Sequence, residues 1–74
     1  MNAQLLPSAA MPLILERLPA VKSRTGLSRS EIYRRISIGS FPGPVKLGAR
    51  ASAWDSRQVD QWISQRIAAS RNAA

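Results

Sequence analysis

The sequence predicts a mainly α-helical domain with a small β-hairpin, and three observations predict it. Around Gly26, the run from Ala20 to Ile36 (AVKSRTGLSRSEIYRRI) reads as two short helices joined by a tight turn. Phe41 to Trp54 (FPGPVKLGARASAW) then breaks the helical pattern with two prolines and two glycines around an alternation of apolar and basic residues. Behind it, Val59, Trp62, Ile63 and Ile67 recur at helical spacing. Two helices about a turn, a hairpin and a third helix are the parts of a winged helix-turn-helix.

Taken in order, residues 1–12 (MNAQLLPSAAMP) carry no Lys or Arg, and Pro7 and Pro12 interrupt their apolar run. They are expected to form neither a signal peptide nor a membrane span, but a mobile arm ahead of a domain over residues 13–67. Ile14, Leu15 and Leu18 form a short apolar lead-in. Pro19 suits the first position of helix one, where its missing N–H would be unpaired in any case, and that helix runs to about Thr25. Val21 should face inward, and Leu27 in the turn should fill the gap between the helices.

Helix two starts with a capping box. Ser28 can accept from a first-turn backbone N–H, while Glu31, three residues on, can reach back to the N–H of Ser28. Ile32 and Ile36 are four apart and share the core face, which turns Ser30, Arg34 and Ser37 outward and leaves Tyr33 at the boundary. Gly39 suits a left-handed helix end, and Pro42 prevents the helix from resuming.

In the hairpin, alternation through Val45, Lys46 and Leu47 places Lys46 on the solvent side, Gly48 to Ser52 forms the tip, and the chain returns through Ala53 and Trp54. This makes a wing that presents Lys46 and Arg50; the plainer reading is a connecting loop with two solvated cations. Helix three should begin at a capping Asp55, with Gln58 repeating the box. Its apolar stripe should bury both tryptophans, each with on the order of 150–250 Å² of surface. At about 25 cal/mol per Å², that is several kcal/mol from each, so Trp62→Ala is expected to unfold the domain. Residues 68–74 are expected to fray as a C-terminal tail.

Charge and composition narrow the function. Eleven Lys and Arg against four Asp and Glu give the 74-residue chain a net charge of +7, the footprint of a polyanion-binding protein. Cysteine and histidine are absent. With Glu31 and Asp55 used as caps, Glu16 and Asp60 leave no acid–base pair or metal site, so no catalytic residue, cofactor or metal is expected. A basic amphipathic helix three, with Arg57 and Arg66, could lie on a membrane, but its stripe is better used as core. Single-stranded RNA readers need an exposed aromatic platform that is lacking here. A small winged domain can also serve as a protein-interaction adaptor, and competition between a protein partner and duplex DNA separates the two cases.

Double-stranded DNA suits the charge and the helical arrangement together. Arg34 points away from Ile32 and Ile36, and its guanidinium can bond bidentately to a guanine edge in the major groove. Ser28, Arg29 and Ser30 stand at the helix start, where N–H groups and the dipole attract phosphate. Tyr33 can contact a phosphate or a thymine methyl, or it can pack; the residues leave these readings open. Arg35 is placed toward the buried side as a flanking phosphate contact. Lys46 and Arg50 should add affinity with little sequence preference.

The run from Leu18 to Ile63 (LPAVKSRTGLSRSEIYRRISIGSFPGPVKLGARASAWDSRQVDQWI) resembles the AlpA family of phage and mobile-element DNA-binding regulators. The resemblance rests on TGLSRSEIYR, on FPGPVKLG, and on the spacing of Trp54, Val59, Trp62 and Ile63. It implies a MerR- and excisionase-like winged helix-turn-helix, with helix two (residues 28–38) in the major groove and Lys46 to Ser52 as the wing. It also implies a cytoplasmic, nucleoid-associated protein that works as a transcription regulator or an excisionase (recombination directionality factor). The implied partners are duplex DNA, further copies of the chain along it, and an integrase or other recombinase or RNA polymerase.

Overall fold

A computed structural model describes residues 12–73, and in it the chain runs β1 (Leu15–Glu16), α1 (Leu18–Thr25), α2 (Arg29–Ser37), β2 (Val45–Gly48), β3 (Ala51–Asp55) and α3 (Ser56–Ala73). The expected arm, residues 1–12, lies outside the described residues except for Pro12. Three helices with a small antiparallel β part are the mainly α, winged helix-turn-helix class that the pattern predicts.

The hairpin is part of a three-stranded sheet, ordered β1-β3-β2. The apolar lead-in therefore forms a strand as well: Leu15 pairs with Asp55 and Glu16 with Trp54, and the Ser56 N–H donates to the Ile14 carbonyl at 2.9 Å. A two-residue strand has no period to read, and only the far side of β3 supplies its partner. In the hairpin, Val45 pairs with Ala53, Lys46 with Ser52 and Gly48 with Ala51, so Leu47 is the extra residue of a bulge. The turn is Ala49–Arg50, shorter than the expected tip, and Ser52 lies within β3.

The core is Val21, Ile32, Phe41, Ala53, Trp54 and Val59, with Leu18, Leu27, Ile36, Trp62 and Ile63 packed around it. Trp54 is the hub, fully buried on the central strand, with its indole N–H donating to the Pro42 carbonyl at 3.0 Å. Three apolar expectations fail. Val45 and Leu47 are 43% and 50% exposed, because β2 is an edge strand with a bulge and the helices cover β3 instead. Ile67 is 48% exposed, since α3 runs on beyond the small sheet. Trp62 is only partly buried: it packs edge-on to Phe41 with centroids 5.0 Å apart and donates to the Ser40 carbonyl at 2.7 Å.

The helix ends follow local chemistry with small shifts. Helix α1 starts one residue before Pro19, with Arg17 at its N-cap. Ahead of α3, Asp55 accepts from the Arg57 N–H at 2.9 Å and from the Arg57 guanidinium, so Arg57 takes the place expected of Gln58. Helix α3 continues to Ala73 through the stretch expected to fray. Its small side chains suit an exposed helix, Ala being the best helix former, and Asn72 is the weakest residue there.

Helix α2 closes on Gly39 at φ +78, with Ser40 N–H to Arg35 carbonyl and Gly39 N–H to Ile36 carbonyl bonds at 2.8 and 3.1 Å. Nothing lies within 4 Å of a Cβ built there, so a side chain would meet only the conformational penalty. Gly39→Ala is expected to destabilise by about 1–2 kcal/mol. In a domain of this size, that lowers the thermal midpoint by on the order of 5–10 °C, read by circular dichroism.

One arginine ties the layers together. Arg24 on α1 bridges Glu16 of β1 and Asp60 of α3. The Asp60 carboxylate, then Glu16, holds the Arg24 guanidinium above its ordinary value. This spends on the fold the two acids that the sequence left unassigned.

Candidate nucleic-acid interface

Helix α2 starts at Ser28, whose Oγ accepts from the Glu31 N–H at 3.1 Å. Only this half of the capping box forms. The Glu31 carboxylate turns the other way and accepts from Arg34 Nε at 3.1 Å, Arg34 Nη2 at 2.6 Å and Arg35 Nε at 3.0 Å. Two guanidiniums one turn away outbid a single backbone N–H, because hydrogen bonds between charged partners are the stronger kind. Arg34, followed by Arg35, holds the Glu31 carboxyl below its usual range, and Glu31 in turn raises the Arg34 guanidinium.

The faces of α2 separate the candidate residues. Ser30 and Arg34 are exposed on the outer face, Arg34 with 56% of its side chain open. Arg35 lies on the flank toward α3, part-buried, with its guanidinium 5.9 Å from the Trp62 ring centre. Its surroundings are protein on most sides. Tyr33 takes the opposite flank: its ring meets Trp54 edge-on at 6.2 Å, and the Arg29 guanidinium stacks over it at 5.2 Å. Tyr33 thus packs against the core while remaining 38% exposed.

Between that flank and the hairpin lies a cleft of about 210 Å³, with Arg17, Arg29, Tyr33, Arg50 and Ser52 on its walls and Trp54 at its base. Lys46 pairs with Ser52 across the hairpin, so its side chain leaves the sheet on the same side. The structure therefore brings Arg29, Tyr33, Arg50 and Ser52 together, with Lys46 beside them; Ser28, Ser30 and Arg34 continue the surface along α2.

Sequence reasoning missed Arg17. It stands at the N-cap of α1, and Pro19 near that helix start was the signal that could have found it.

All four carboxylates are occupied, by Arg24, Arg34, Arg35 and Arg57. Among the described residues, Arg17, Arg29, Lys46 and Arg50 face no carboxylate. Lys22, Arg66 and Arg71 are likewise unpaired but lie elsewhere, on α1 and α3, so of the seven unpaired cations among the described residues three line the cleft and Lys46 lies beside it. No group of three or more His, Cys, Asp or Glu that could hold a metal ion occurs among the described residues, and none of their helices is long and apolar enough to cross a membrane.

The model of the family described as "Prophage CP4-57 regulatory protein (AlpA)" matches residues 14–67, from the strand β1 segment to the apolar face of α3. The chain belongs to the AlpA family. This AlpA-family chain is 46% identical over 52 residues to "Uncharacterized protein ORF88" of Enterobacteria phage P4, an alignment covering 70% of the chain and 59% of the phage protein. It is 38% identical over 56 residues to the "DNA-binding transcriptional activator AlpA" of Escherichia coli strain K12, covering 68% of the chain and 80% of that protein. The family match begins before α1, so it includes the strand that completes the sheet and Arg17 on the cleft wall.

Proposed function

We propose that this chain is a sequence-specific, duplex-DNA-binding regulator of a prophage or integrative element. In this reading α2 enters the major groove and the hairpin lies on the flanking backbone as a wing. The observation that carries it is the concentration of carboxylate-free cations, Arg17, Arg29, Lys46 and Arg50, where α2 meets the hairpin. Kinship with an AlpA protein described as a DNA-binding transcriptional activator supports the same reading.

The physical division of labour follows from placement. Arg29 and Arg50 neutralise backbone phosphate at the cleft, Ser52 and Tyr33 can add hydrogen bonds there, and Lys46 extends the contact along the hairpin. Ser28 and Ser30 stand at the start of α2, where N–H groups favour a phosphate. Arg34 reads a base edge, and Arg35 supports the flank toward α3.

With four to six phosphates neutralised per copy, the logarithm of affinity should fall against that of salt concentration with a slope of roughly 4 to 5. Titration of a fluorescent duplex at several salt concentrations measures it, and a slope near zero would refute the proposal. Transcription control and excision use the same DNA-binding surface, so the site on the chromosome distinguishes them. Genome-wide occupancy at promoters marks a regulator, occupancy at the ends of an integrated element marks an excisionase, and both together mark a dual role. Several copies side by side on direct repeats are part of the excisionase reading; sedimentation on a fragment with multiple sites tests that, and strict binding of one copy per fragment excludes it.

A further inference from the structure

We infer that Glu31 is a positioning residue that aims Arg34 at a guanine, an inference that rests on the proposal that α2 reads the major groove. An arginine has five N–H donors arranged along two usable edges, one side-on through Nε and Nη2, the other end-on through Nη1 and Nη2. Glu31 occupies the side-on edge with both carboxylate oxygens, at 3.1 and 2.6 Å. That leaves the end-on edge, one N–H from each terminal nitrogen, free of Glu31 on a side chain that is 56% open. An end-on guanidinium matches the O6 and N7 acceptors of guanine.

The same carboxylate also holds Arg35, at 3.0 Å from Oε2. Arg35 in turn lies 5.9 Å from the Trp62 ring centre. Glu31 is therefore held between two arginines, one of them stacked on the side chain of another helix, and does not swing freely with Arg34. An otherwise flexible arginine is fixed before DNA arrives, so less conformational freedom is lost when it binds. A negative charge on a DNA-facing helix costs general attraction to phosphate; in this reading it contributes discrimination in exchange.

The experiment selects duplexes from a random-sequence library with the full chain, then compares base preferences for the wild type, Glu31→Ala, Glu31→Gln and Arg34→Ala, with helix content checked by circular dichroism. The wild type is expected to show a position preferring guanine by roughly tenfold or more. Arg34→Ala should flatten that position, and Glu31→Ala should flatten the same one while binding random duplex more tightly, because a repulsive charge is gone. Glu31→Gln keeps one oxygen acceptor and should restore part of the preference. If Glu31→Ala keeps the full guanine preference and gains affinity everywhere, Glu31 is only an electrostatic brake and the inference is overturned. If the wild type selects no sequence at all, the groove-reading proposal beneath it fails instead.

Discussion

Trp54→Ala is expected to leave the domain largely unfolded at 25 °C, with loss of the far-ultraviolet helical signal and of any cooperative thermal transition. Trp54 is 1% exposed and sits on the one strand that pairs on both sides. Removing a buried indole costs about 3–5 kcal/mol, from lost burial and the cavity left behind. A domain of this size has a total stability of only about 3–9 kcal/mol. The variant also removes the indole partner of the Pro42 carbonyl and the edge on which Tyr33 rests. The sequence pattern buries both tryptophans and so expects Trp62→Ala to unfold the domain, but that ring is partly exposed and lies between Phe41 and two arginines at 5.9 Å, so Trp62→Ala should lower stability yet leave a folded majority. Urea denaturation of the two variants side by side ranks them, and an equal or greater loss for Trp62→Ala would overturn this assignment of the core.

The double substitution Arg29→Ala, Arg50→Ala should preserve the fold and weaken binding to every duplex, selected or random. Both guanidiniums are exposed at the cleft and neither is paired with a carboxylate, so the fold loses no ion pair. If each neutralises one phosphate, the salt dependence falls by about 2 in slope, because each contact contributes about 0.9. Lys46→Ala should remove about half as much. Arg34→Ala should behave differently, costing about 1–3 kcal/mol on the selected site and little on random DNA. Titrations of all three against both duplexes separate the roles, and equal losses on specific and random DNA from each variant would contradict the division between base reading and backbone grip.

Much of this was legible in the residues. Ser28 as a cap, Gly26 in the turn, Gly39 as a left-handed end, and Ile32 inside with Arg34 outside all follow from rules acting within a turn or two of helix. The hairpin was legible for the same local reason. What misled was periodicity carried past the packed region: the pattern of Val45, Leu47 and Ile67 is apolar and regular, but at the edge strand and the far end of α3 those side chains stay 43–50% exposed. Glu31 was a different kind of miss, because a capping box and an Arg34 pair are both local options and their competition is settled by charge.

The helices, their turn, the hairpin and the surplus of cations can be read from the residues, because each depends on neighbours along the chain. It took the packed fold to show that Leu15 and Glu16 pair with β3, that Trp54 and not Trp62 is the buried hub, and that Arg17, Arg29 and Arg50 share one cleft. Those residues are far apart in sequence. They are set beside one another by the pairing and packing of β3, an arrangement that no spacing along the chain encodes.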